Sequence, residues 1–182
     1  MEIRQIPEPQ PQAGQALNHR GPEMFNSANG RFRQWAPLPL RLVIGYGFLA
    51  HGLAKLSRGP AGFARVLEHI GAPLPAVTAW VSTFVEILGG LAILAGAFVA
   101  IVSVPLILMM LVAMFTIHLR YGFSAINTIG VTADGPQFGP PGYEVNLLYT
   151  AGLLELILGD AGPLSIDRLR ARSKRQPAAS PS

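Results

Sequence analysis

Between residues 76 and 117 the chain carries a single ionisable side chain, Glu86. A helix through the whole stretch would extend roughly 60 Å, about twice the hydrocarbon thickness of a bilayer. The segment therefore predicts two membrane-crossing helices joined by a tight turn. Gly96 can close the first of them, which places the turn near "GAFVA" (96–100) and leaves Pro105 in the early turns of the second.

Two further apolar runs flank this pair. "PLPLRLVIGYGFLAHGLAKL", beginning at Pro37, has the length of one span, and "YEVNLLYTAGLLELILG" (143–159) is a shorter one that holds Glu144 and Glu155. The expected fold is thus an all-α membrane protein, a bundle of four transmembrane helices over about 38–57, 76–97, 99–119 and 143–160 within a domain spanning 37–167. Composition agrees: 13% of the residues are charged and mean hydropathy is +0.38, against about a quarter charged in soluble domains. The connections "SRGPAGFARVLEHIGAPLP" (57–75) and "YGFSAINTIGVTADGPQFGPPG" (121–142) read as loops punctuated by glycine and proline. Residues 1–36, rich in Pro, Gln, Asn and Gly, read as a disordered cytoplasmic extension, and Met24 is an alternative start. No apolar run suited to a secretory signal occurs before residue 36. Residues 168–182 read as a basic cytoplasmic tail suited to anionic lipid headgroups.

The basic residues predict the orientation. Arg4, Arg20, Arg31, Arg33 and Arg41 precede or open the first span, and Arg168, Arg170, Arg172, Lys174 and Arg175 follow the last; Lys55, Arg58, Arg65 and Arg120 lie at the opposite ends. Ten against four places both termini in the cytoplasm, as an even number of spans requires. The pI near 10 does not point to nucleic acid, because the basic residues gather at the chain ends and not on an aromatic-interleaved face.

With that orientation, four helices deliver ionisable groups to one half of the membrane: His51 and Lys55, four residues apart on one face; Glu86, one turn from Ser82; His118; and Glu144. Such groups face a bundle interior or a wet cavity. Lys55 and His118 also suit interfacial anchors, whereas Glu86, ten or so residues into an apolar helix, has no reach to water. An outward-facing polar pocket of His51, Lys55, Glu86, His118 and Glu144 is expected, able to hold a quinone headgroup or a small anion. Arg41 and Glu155, at similar depth on the inner side, are expected to form a structural ion pair. No E-x-x-H helix motif is present and no metal site is expected. The absence of cysteine excludes disulfides, thiol relays and iron–sulfur ligation from this chain alone. "GYGFLA" (45–50) matches a dinucleotide-binding pattern, but no strand precedes it; Gly45, Gly47, Gly52, Gly89, Gly90 and Gly96 instead suit close helix packing.

These residues resemble the DoxX family of small four-span bacterial membrane proteins. The resemblance covers about residues 38–168 and rests on "RLVIGYGFLAHGLAKL", "EILGG" from Glu86, His118 followed by "YGF", "GYE" at 142–144 and "GDAGPLSID" at 159–167. It implies a multi-pass protein of the bacterial plasma membrane and, from some relatives, the membrane subunit of a quinone-linked oxidoreductase rather than a self-sufficient catalyst. No cofactor of its own is implied, beyond quinone, and a redox partner subunit would supply the electrons. A non-enzymatic assembly partner and a small-solute or proton permease stand as alternatives. The long N-terminal extension departs from the family.

Overall fold

A computed structural model describes residues 33–159 and 161–173. The chain divides into two units, Met1–Arg33 and Gln34–Ser182; the first lies almost wholly outside the described residues, and the fold below is that of the second. The expected disorder of 1–36 and the question of Met24 therefore fall outside the described residues, except for a turn over 34–36 that leads into the first helix.

Four long helices dominate: α1 (Pro37–Arg58), α3 (Pro75–Ala95), α4 (Val99–Ala113) and α5 (Glu144–Leu158). A π turn (Met114–His118) and a 3₁₀ turn (Leu119–Tyr121) prolong α4. α1 packs along α3, α3 along α4 and α4 along α5. Ile44, Phe48, Ile93, Val99, Leu106, Leu153 and Leu156 form the buried centre, and the Phe48 and Tyr149 rings meet edge to face at 5.3 Å.

Glycines set the α1–α3 separation. A Cβ on Gly90 would stand 2.6 Å from the Leu49 amide nitrogen and 2.7 Å from the Gly45 carbonyl oxygen, and one on Gly52 would stand 3.0 Å from the Ile87 nitrogen. Backbone against backbone leaves no slack for a side chain. Gly89, the other half of the pair, faces Leu106 of α4. Gly96 ends α3 in the left-handed conformation (φ 64°, ψ 40°), as expected of a closing glycine, while Pro105 sits inside α4 in its second turn.

Three segments differ from the sequence expectation. The 57–75 connection contains a helix, α2 (Pro60–His69), packed mainly on α3. Its proline at the first helical position and the spacing of Phe63, Val66, Leu67 and Ile70 are the signals a loop reading passes over. The 121–142 connection contains an antiparallel hairpin, β1 (Thr128–Thr132) and β2 (Gly135–Phe138), joined by Ala133–Asp134 with Gly135 at φ 120°. The start of the expected tail is helical, α6 (Ile166–Ser173); residues 174–182 lie outside the described residues.

Among the described residues, two helices are long and apolar enough to cross a membrane, Pro75–Ala95 and Val99–Tyr121, with 33% and 17% of their most apolar windows buried. Those fractions are low for core helices of a water-soluble domain, because Leu88 (62% exposed), Val104, Leu108, Val112 (58%) and Phe115 point outward in quantity. Such faces suit lipid as their solvent. α1 is as long, 22 residues, but carries Arg41, His51, Lys55 and Arg58; α5 is shorter, at 15 residues.

Candidate functional site

The close approach of α1 and α3 at Gly52 brings their polar residues together. Lys55 Nζ donates to Glu86 Oε1 at 2.8 Å, and the two side chains are 21% and 5% exposed. The same ammonium lies 4.2 Å from the centroid of the Phe63 ring of α2. Lys55 thus ties three helices with one charge, through an ion pair and a cation–π contact. Glu86 Oε2 is buried and has no hydrogen-bond partner among the described residues. A carboxylate oxygen left so is unusual, since buried acceptors are nearly always satisfied.

Lys55 and Glu86 both line a cavity of about 360 Å³ between α2, α3 and α4. Its other walls are chiefly apolar, including Phe63, Leu67, Val85, Leu108 and Met109, with the hydroxyls of Thr78, Ser82 and Thr116 at intervals. Lys55 and Phe63 also border a second space of about 380 Å³, together with His51 and Arg58. His51 itself is exposed and stands beside the pair.

The other two expected members are used elsewhere. His118 Nδ1 is 2.9 Å from the Pro141 carbonyl oxygen, and Glu144 Oε2 accepts from the Ala125 amide at 2.8 Å. Both fasten the 122–142 connection to the ends of α4 and α5, alongside backbone bonds from Tyr143 to Gly122 and from Glu144 to Phe123. Neither lines the Lys55–Glu86 cavity. The five residues therefore divide into a buried pair with His51 nearby and two loop anchors. The division has a physical reason: a connection that folds back offers local amides and carbonyls before a distant charge can compete.

The expected Arg41–Glu155 ion pair is not formed. Arg41 is fully buried and donates to four backbone carbonyls: Nε to Ile93 at 3.0 Å, Nη2 to Leu94 at 2.7 Å and Leu164 at 3.4 Å, and Nη1 to Ala161 at 2.8 Å. Ile93 and Leu94 belong to the last turn of α3, whose carbonyls have no partner within the helix and carry the negative end of its dipole. A planar five-donor fork satisfies several such acceptors at once. Glu155 is exposed.

Next to this clamp, Asp167 caps the start of α4. Its two oxygens accept from the amides of Phe98 (2.8 Å) and Val99 (2.9 Å), and its own amide donates to the Gly96 carbonyl at 3.0 Å. Phe98 (φ 51°) and Leu164 (φ 60°), two of the non-glycine residues in the left-handed region, both lie in this knot, where the polar contacts offset the backbone cost. Gly96 is required twice over, since a Cβ there would sit 2.6 Å from Arg41 Cζ and 2.5 Å from Ser165 Cβ. The knot was missed in the sequence, although Asp167 closes the motif "GDAGPLSID". Asn146, buried in α5 and donating to the Met110 carbonyl at 3.3 Å, was missed as well; an asparagine amid leucines was its signal.

The DoxX family model matches residues 36–119, a range that takes in α1, α2, α3 and α4 with Arg41, Lys55 and Glu86. No curated protein and no solved structure matches the chain. Residues 36–119 are thus similar to the DoxX family, on a domain whose outward-facing apolar helices suit lipid.

Proposed function

We propose that the chain crosses the bacterial plasma membrane four times, through α1, α3, α4 and α5, with both termini in the cytoplasm. In this reading it serves as the membrane subunit of a quinone-linked oxidoreductase, with the cavity walled by Lys55 and Glu86 receiving the quinone ring. For the topology, the support is that α1 has 22 residues, enough for a 30 Å hydrocarbon core, and that its interior charges are compensated, Arg41 by carbonyls and Lys55 by Glu86. The basic asymmetry sets the direction. A periplasm-active reporter inserted within 125–140 should be active, and the same reporter after residue 182 silent. Activity at the C-terminal position would overturn the orientation.

The observation that carries the quinone reading is the Lys55–Glu86 pair, with its unused carboxylate oxygen, on the wall of a chiefly apolar cavity. A pair that only locked helices would need no adjoining space. A membrane quinone has the matching chemistry: an apolar body, and carbonyl oxygens that accept from an ammonium. Reduction of the ring takes two electrons and two protons. The electrons come from a partner subunit with its own redox group, as the resemblance implies. This chain contributes the hydrogen bond from Lys55 to one carbonyl oxygen and a carboxylate, Glu86, to carry protons. Lipid-soluble extracts of the protein purified from its native membrane should contain quinone in near-equal proportion to the chain, and Glu86→Gln should lose most of it. Wild-type protein that neither retains nor takes up added quinone would sink the reading.

A further inference from the structure

Where α4 begins and α5 finishes, a cavity of about 460 Å³ opens between those helices and α6. Its floor is apolar, with Val99, Leu156 and Ile157, and its rim carries Arg168 and Arg172, one turn apart on the same face of α6. Asp167 also lines it, but both its oxygens are taken by the amides of Phe98 and Val99. Arg168 gives one nitrogen to Gln34 Oε1 at a long 3.4 Å, and among the described residues neither arginine is in an ion pair. Arg170, between them in sequence, lies over the Phe98 ring at 4.4 Å and does not border the cavity. The space therefore presents two guanidinium forks above a greasy floor at the edge of a membrane domain.

We infer that this groove binds one anionic phospholipid, its phosphate between Arg168 and Arg172 and the first methylenes of its chains along Leu156 and Ile157. Guanidinium matches phosphate bidentately, and the groove has room for a headgroup and the start of the chains, not for a whole lipid. The exposed Leu154 and Leu158 on the same helix continue an apolar surface beyond it. The inference needs only residence in a membrane and stands apart from the quinone reading.

The test is native mass spectrometry of the full chain released from detergent containing either phosphatidylglycerol or phosphatidylcholine, with inorganic phosphate as a third arm. One phosphatidylglycerol should remain bound and phosphatidylcholine should not. Each of Arg168→Ala and Arg172→Ala should lower retention about fivefold, the factor associated with one basic residue at an anionic surface, while Arg170→Ala leaves it unchanged. Arg168→Lys with Arg172→Lys, which keeps both charges, should restore part of the loss and so exclude misfolding as its cause. Equal retention of the two lipids, an equal loss with Arg170→Ala, no recovery with the lysines, or occupancy by inorganic phosphate alone would each overturn the proposal.

Discussion

Replacing Arg41 by methionine should destabilise the protein by about 3–5 kcal/mol, the scale seen when one side of a fully buried charged contact is removed. The size follows from the acceptors left behind. The carbonyls of Leu94, Ala161 and Leu164 lose the Arg41 donor together, while that of Ile93 keeps the Gly96 amide at 3.1 Å, and a buried acceptor without a partner costs about 1–3 kcal/mol. Methionine retains the apolar stem and none of the donors. Unfolding in detergent, followed by helical circular dichroism against added denaturing surfactant, measures the loss. A methionine variant as stable as the wild type would mean that the four bonds contribute nothing net. Lysine should recover only a part, because a single ammonium reaches fewer of four carbonyls set around a plane.

Arg41 also marks where sequence reading stops. Depth along the helix correctly placed the side chain away from lipid, and the only formal opposite charge at that depth was Glu155. Its actual partners are main-chain oxygens at the end of a helix. Every helix has these, so no residue letter announces them. The same blindness explains His118 and Glu144, whose hydrogen bonds go to the Pro141 carbonyl and the Ala125 amide. By contrast, α1, α3 and α5 begin and end within two residues of the expected apolar runs, and α4 does so at its end only with the π and 3₁₀ turns that prolong it to Tyr121, because long apolar runs broken by glycine and proline allow few other foldings. The helix α2 and the hairpin were overlooked for the opposite reason. Both are short, and their glycines and prolines, read as breaks, are in fact a first-turn proline and a turn glycine.

The second large effect concerns the buried pair. Glu86→Gln and Lys55→Met should each cost about 2–4 kcal/mol, tempered from the fully buried range because the lysine is 21% exposed. The double change Lys55→Met with Glu86→Gln should cost less than the two single losses together, by about 1–3 kcal/mol, since neither charge then remains alone. Membrane insertion should be unaffected throughout. The cycle is read from unfolding midpoints of protein stripped of ligand, so that it reports the pair and not an occupant. Strict additivity would show that the 2.8 Å contact carries no coupling and that Lys55 serves as an independent anchor. This contact was foreseeable, because Glu86 is the one carboxylate in the apolar hairpin and Lys55 lies at a reachable depth on the preceding span. The Phe63 ring that shares the ammonium was not, since it sits on the helix that was read as a loop.

The Arg41 clamp has a temporal side. Two of its four acceptors, Ala161 and Leu164, are separated from it by 120 and 123 residues, and the amides that open α4 wait for Asp167, 69 and 68 residues later. A ribosome delivers the first helix and the α3–α4 hairpin well before those partners exist, and α5 just before them. Until residues 161–167 emerge, α1 holds a guanidinium whose outer nitrogens are only half satisfied, and the hairpin turn bears two bare N–H groups. The nascent protein is therefore kept unfinished by its own wiring, and the segment synthesised after α5 latches the starts of α1 and α4.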